Sequence, residues 1–205
     1  PLLYENTSAI ETPETNADGT PFHLSQGMAD QAIKWLDNWK GLRDVPFFMY
    51  YTPGAVHAPI QVPKEWRDKY KGQFDDGWHA YRAQQLERQK KLGLVPKDAK
   101  MVDWPEVLPK WDSFSEEGKR YLSRQMEVNA AFLEHVDYHI GRVIDHVDEM
   151  GELDNTLVIY LTADNGCTAE GTPTGTFSEL LMQNGFPPLT MEQQLEKLEE
   201  FGGLD

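Results

Sequence analysis

Val45-Pro46-Phe47-Phe48-Met49-Tyr50-Tyr51-Thr52 is an uninterrupted aromatic and apolar run closed by Pro53-Gly54. A run of that length between turn signals predicts a β-strand buried on both faces, the pattern of a parallel sheet. Its C-terminal end delivers the chain into Val56-His57-Ala58-Pro59. Downstream, after the Asp154-Asn155 turn, Leu157-Val158-Ile159-Tyr160-Leu161 predicts a second buried strand, which runs into Ala163-Asp164-Asn165-Gly166.

Helical spacing surrounds these runs. Leu24, Met28, Ala32, Leu36 and Trp39 predict a helix with Ser25 as N-cap and Gly41 as its stop. A longer pattern, Leu122, Met126, Ala130, Leu133, Val136, Ile140, Val143 and Val147, follows a capping box read at Ser113-Phe114-Ser115-Glu116 and ends at Gly151. The order helix, strand, insertion, helix, strand predicts an α/β fold, a parallel-sheet core with flanking helices. In such a sheet the ligand site lies beyond the carboxyl ends of the strands, where His57 and Asp164-Asn165 fall. Residues 1–21 are polar and turn-rich and predict a loop. Leu189 to Phe201 is amphipathic, and no further strand follows it, as expected of part of a larger domain.

Charge narrows the function. The 205 residues carry 34 Asp+Glu against 19 Lys+Arg, a net charge of −15. That excess repels phosphate backbones and anionic lipid, which argues against general nucleic-acid binding and membrane-surface docking. No apolar run approaches the roughly 20 residues of a membrane-spanning helix. The single cysteine, Cys167, rules out an internal disulfide framework or a multi-thiolate zinc site and reads as a packing residue. Residues 64–112 form a Pro- and aromatic-rich insertion with a small positive excess, where Trp66, Tyr70, Trp78, Tyr81, Trp104 and Trp111 interleave with Lys and Arg. Packing onto the core is the commoner use of such aromatics, with substrate recognition as the alternative.

Three groups carry candidate chemistry. Asp164 and Asn165 offer adjacent hard oxygen donors of the kind Ca²⁺ or Mg²⁺ prefers, although Asp-Asn-Gly is also an ordinary tight turn. His57, held between a predicted strand and Ala58-Pro59, suits anion binding or proton donation near neutral pH, or equally a structural hydrogen bond. His135 and His139 share a helix face, with His146 near it, but Val136 stands where a metalloprotease needs Glu. That stripe reads as solvated or as helix packing. Asn16-Ala17-Asp18-Gly19-Thr20 lacks the flanking helix and closing Glu of an EF-hand.

Several segments, weak singly, are specific in their order: Pro46 to Tyr51, Pro53 to Pro59, Val62 to Gly72, Arg124-Gln125-Met126-Glu127-Val128, Ile140-Gly141-Arg142-Val143-Ile144, Gly151 to Leu157, and Asp164-Asn165-Gly166 with Ala169-Glu170-Gly171. Over residues 22–205 this series resembles the type I sulfatases of the alkaline-phosphatase superfamily, in particular the large bacterial arylsulfatases. The resemblance implies an alkaline-phosphatase-like fold and hydrolysis of a small-molecule sulfate ester, an aryl sulfate giving phenol and sulfate, at a site holding one Ca²⁺. It implies that Asp164 and Asn165 ligate the cation. It also implies that His57 contacts the sulfate and assists departure of the alcohol or phenol, while the hydrate of a formylglycine attacks sulfur.

The family's Cys-x-Pro-x-Arg or Ser-x-Pro-x-Arg motif is absent from the chain, and Cys167 is followed by Thr, Ala, Glu and Gly. The paired aspartates, the lysine and histidine beside the nucleophile and a later lysine are absent too. Residues 1–205 are therefore expected to be the central part of one catalytic domain, inactive alone. The chain begins at Pro1 with no basic, apolar leader, as a processed or internal piece does. Sulfatases of this kind are often exported, so a periplasmic or secreted location fits the resemblance. The alternatives are a phosphodiesterase or phosphonate hydrolase of the same superfamily, and a catalytically inactive sulfatase-like binding module.

Overall fold

The computed structural model describes residues 3–42, 44–162, 166, 172 and 174–204. The chain divides into two compact units, one taking up residues 1–57 and 132–167, the other 58–131 and 168–203.

The first unit opens with a hairpin where the sequence predicts only loop. Strands β1 (Leu3–Glu5) and β2 (Ser8–Ile10) pair antiparallel with Leu3 opposite Ile10 and Glu5 opposite Ser8, so Asn6 and Thr7 form the turn. Three-residue strands are too short to show an alternation. Helix α1 (Leu24–Trp39) follows, over the range its spacing predicts, but its cap differs from the expectation. His23 is the N-cap, and its side chain accepts the Ser25 N–H; Gly41 falls inside a further 3₁₀ turn, Lys40–Leu42.

Ala29, Leu36 and Trp39 of α1 pack with Val143, Val147 and Met150, and Phe47, Met49 and Tyr51 join this cluster. Phe48 and Tyr50, between them, are 85% and 79% exposed. That period-two alternation is the signature of an extended chain with one covered face. Leu157, Ile159 and Leu161 are likewise strongly exposed. The expectation of strands buried on both faces is thus not met. The sheet found among the described residues is the β1–β2 ribbon, and neither 45–52 nor 157–161 pairs in a ladder. A strand needs a hydrogen-bonded neighbour, and no described segment forms a ladder with either of these two.

The second unit contains α2 (Lys64–Arg67), α3 (Gly77–Leu92), α5 (Glu179–Gln183) and α6 (Met191–Leu195). Val62, Phe74, Trp111, Tyr121, Leu122, Val128, Ala131 and Phe201 are buried apolar residues of this unit. Gly77 opens α3 at φ +78°, and a Cβ there would lie 2.2 Å from the Trp111 ring, so the indole packs directly on bare backbone. Within the amphipathic tail, Thr190 and Gln193 close a reciprocal capping box on α6.

Helix α4 (Glu116–Glu149) is the long helix predicted, contributing its first half to the second unit and the remainder to the first. The capping residue is Ser115, whose Oγ accepts the Gly118 N–H at 3.1 Å; Ser113 instead donates to the Lys110 carbonyl. The other end closes as a Schellman motif. Gly151 N–H bonds Asp148 O, Glu152 N–H bonds Val147 O, and Gly151 has φ +74°.

Candidate active site

His57 stands in the turn that follows the 45–52 segment, where the sequence places it. Its backbone N–H donates to Gly54 O at 2.8 Å, and the Ala55–Val56 and Ala58–Pro59 peptide bonds beside it are cis. The residue is exposed. Asp164 and Asn165, the expected cation ligands, lie outside the described residues, as does Cys167. Among the described residues no group of three or more His, Cys, Asp or Glu is arranged to hold a metal ion.

Behind the 45–52 segment the first unit holds buried polar groups that the sequence reading did not single out. The Tyr51 hydroxyl is pushed up to about 12, chiefly by burial, with the negative charge of Asp30 adding to the shift and Arg142 opposing it. Tyr51 is therefore a neutral phenol throughout the physiological range. Arg142 Nη2 donates to Asp30 Oδ1 at 2.7 Å, which joins α4 to α1. His135 and His139 are 1% and 4% exposed. The helix-packing half of their expected reading therefore holds, while a solvated stripe does not. His146 sits nearer the surface, 3.0 Å from Asp37 Oδ1. The signal for the buried cluster was the i, i+4, i+7 series His135, His139, Arg142, which places three hydrogen-bonding side chains on one helix face.

In the loop before α1, the Asn16–Thr20 segment folds on its own polar side chains. Asp18 Oδ1 accepts from the Thr20 N–H and hydroxyl at 3.0 and 2.6 Å, and Asn16 Nδ2 donates to Pro21 O at 2.8 Å. Those bonds lower the Asp18 carboxyl, with the Thr20 hydroxyl the largest cause.

The insertion aromatics pack on one another. Trp78 stacks on Trp104 at 5.9 Å and meets Trp111 edge-on at 5.0 Å, while His79 lies 4.3 Å from Trp104. Lys69 covers the face of Trp66 and Arg82 that of Trp104. The same unit holds an ion cluster in which Arg124 and Glu127 are buried. Arg124 Nη1 meets Glu127 Oε2 at 2.8 Å and its Nη2 meets Asp68 Oδ1 at 3.2 Å. Bonds from Lys64 first, and from Arg124, hold the Asp68 carboxyl below its ordinary range.

The Sulfatase family model matches residues 2–195 of the chain. An uncharacterized sulfatase of Schizosaccharomyces pombe is 40% identical over 151 residues, covering 73% of this chain and 26% of that protein. An arylsulfatase of Klebsiella aerogenes is 29% identical over 150 residues, 73% of this chain and 32% of that one. A sulfatase of Formosa agariphila is 28% identical over 155 residues, 74% and 29% of the respective lengths. The chain spans about a quarter to a third of the length of these relatives.

Proposed function

Because the chain belongs to the sulfatase family, we propose that the longer protein it spans part of hydrolyses a sulfate monoester, with aryl sulfates as the substrate class. The match of the family model across residues 2–195 carries this reading. The ordered motifs around His57 and Asp164-Asn165, and the identity shared with an arylsulfatase, refine it.

Each residue then has a role set by its chemistry. Asp164 contributes a carboxylate and Asn165 an amide carbonyl, a donor set suited to one Ca²⁺. When bound, that ion would neutralise charge on the sulfate oxygens. His57, carried on a turn tied by its own N–H to Gly54, binds a sulfate oxygen and holds a proton for the departing phenol oxygen. A phenolate leaves poorly without that proton or an equivalent positive charge. The chain carries no formylglycine motif, so the proposal assigns the nucleophile to the rest of the longer protein.

The test is an assay of the full-length protein on 4-nitrophenyl sulfate, with and without EDTA, beside the 205-residue chain. Turnover that EDTA abolishes and Ca²⁺ restores is expected for the full-length protein, and none for the chain. His57→Ala is expected to lower kcat by about 10² to 10⁴ on unsubstituted phenyl sulfate, the range for a lost proton donor, and by less on 4-nitrophenyl sulfate, whose phenolate departs more readily. Full-length protein inert to aryl sulfates but active on bis(4-nitrophenyl) phosphate would replace the reading with a phosphodiesterase.

A further inference from the structure

Three buried imidazoles form one chain inside the first unit. The His23 and His135 rings lie 4.3 Å apart, and His135 and His139 4.4 Å, centroid to centroid. Nε2 of His139 is 3.1 Å from Nε2 of His135. One turn further along α4, Arg142 brings Nη1 to 3.0 Å from His139 Nδ1 and Nη2 to 2.7 Å from Asp30 Oδ1. Asp30 Oδ2 in turn accepts the Ala17 N–H at 3.3 Å, and Asn16 Oδ1 accepts the His23 N–H at 3.3 Å.

The proton on each ring follows from its neighbours. A guanidinium has donors only and keeps its charge, so His139 Nδ1 must accept. Neutral His139 then carries its proton on Nε2 and donates it to His135 Nε2, which leaves the His135 proton on Nδ1. His23 accepts the Ser25 N–H at Nδ1, 3.2 Å away, so its proton sits on Nε2. The tautomers of His139 and His23 are thus set by direct hydrogen bonds, and that of His135 follows from His139. Protonating His139 would turn Nδ1 into a donor facing Arg142, losing a hydrogen bond and setting two positive charges together. Protonating His23 at Nδ1 would remove the cap of α1. A metal ion bridging the two Nε2 atoms needs the opposite placement on His139, with Nδ1–H directed at the guanidinium.

We propose that the His23–His135–His139 chain, anchored by Arg142 and Asp30, is an acid-opened latch that holds the 12–23 loop and the start of α1 on α4 at neutral pH. The groups facing His139 are His135, Arg142 and the Tyr138 ring on its own helix, Asp30 on α1, and His23 and Asp18 from the preceding loop, while the Tyr51 hydroxyl of the 45–52 segment acts on Arg142 and Asp30. Burial first, then Arg142 and His23, lower the His139 imidazole to about 4, against the weaker upward pull of Asp30 and Asp18. The opened form, with its ordinary histidine near 6.5, binds more protons between those values. The latch is therefore fully closed above about pH 6.5, and each unit of acidification toward 4 lowers the closed-to-open ratio by about tenfold.

The test uses the protein labelled with ¹⁵N-histidine. At pH 7, imidazole spectra should show Nε2–H for His139 and His23 and Nδ1–H for His135, with His139 still neutral at pH 5. Amide exchange in residues 16–30 should accelerate about tenfold per pH unit from 6.5 to 4, beyond the intrinsic change. In His139→Gln, whose amide accepts from Arg142 and donates to His135, that acceleration should disappear. Nδ1–H on His139, a charged His139 at pH 6, or an unchanged slope in the variant would overturn the latch. The wild-type spectra decide it even where the variant folds poorly. Neither readout depends on sulfatase activity.

Discussion

Arg124 and Glu127 are both buried, and Glu127 Oε1 also accepts the Gly72 N–H at 2.7 Å. Arg124→Met keeps the stem but leaves a carboxylate in a dry setting with one hydrogen bond. A loss of about 3 kcal/mol is expected in urea unfolding of the second unit, most of it recovered when Glu127→Leu is added, because a lone buried charge costs more than an absent pair. This pair was not legible in the sequence, where Arg124 and Glu127 entered only as part of one ordered segment, Arg124 to Val128, of the family resemblance. Only the burial supplied by Phe74, Tyr121 and Val128 around them distinguishes them from surface charges. His57 was singled out from its place between an apolar run and Ala-Pro, and it stands in the turn after that run. The His135–His139 pair was seen but read in part as solvated, since the spacing on α4 says nothing of the His23 loop packed over it.

At the scale of elements, period decided what could be read. Helices α1 and α4 carry apolar stripes stepping by three and four residues, and both stand where those stripes place them. Helix α3 was missed because Gly77 to Leu92 is polar on every side, so good helix formers and the left-handed Gly93 cap were its only signals. Two left-handed glycines at helix ends, Gly77 of α3 and Gly151 after α4, give a comparative prediction. Gly151→Ala, where a Cβ meets nothing within 4 Å, should cost only the backbone penalty, about 1 kcal/mol. Gly77→Ala adds a collision with Trp111 to the same penalty and should cost at least about twice as much. Chemical denaturation followed by far-UV circular dichroism checks the order. Equal losses would show that the indole yields freely.

For the whole molecule, the consequential surface is apolar. Phe48, Tyr50, Leu157, Ile159 and Leu161 present large side chains to solvent in segments that expose backbone donors and acceptors as well. Such a surface invites edge pairing and self-association, against which a net charge of −15 works at low ionic strength. The 205-residue chain by itself is expected to sediment as larger species as salt rises from 20 to 300 mM, and Phe48→Ser with Ile159→Ser should shift it toward monomer. A monodisperse monomer at both salts would refute this. The parallel-sheet core is the expectation that the described residues do not show. Both predicted strands were identified by composition, but a ladder belongs to neighbours, and the sequence of a segment names no neighbour. The insertion has one more consequence, an optical one. Of the six tryptophans, Trp35 and Trp39 lie on α1 and the other four in the second unit. Trp78 crosses Trp111 at 74° and 5.0 Å, close and skewed enough for their transition moments to couple. With Trp35 and Trp39 changed to Phe, tryptophan emission and the exciton band in circular dichroism would come from the insertion alone, giving the second unit its own clock for unfolding.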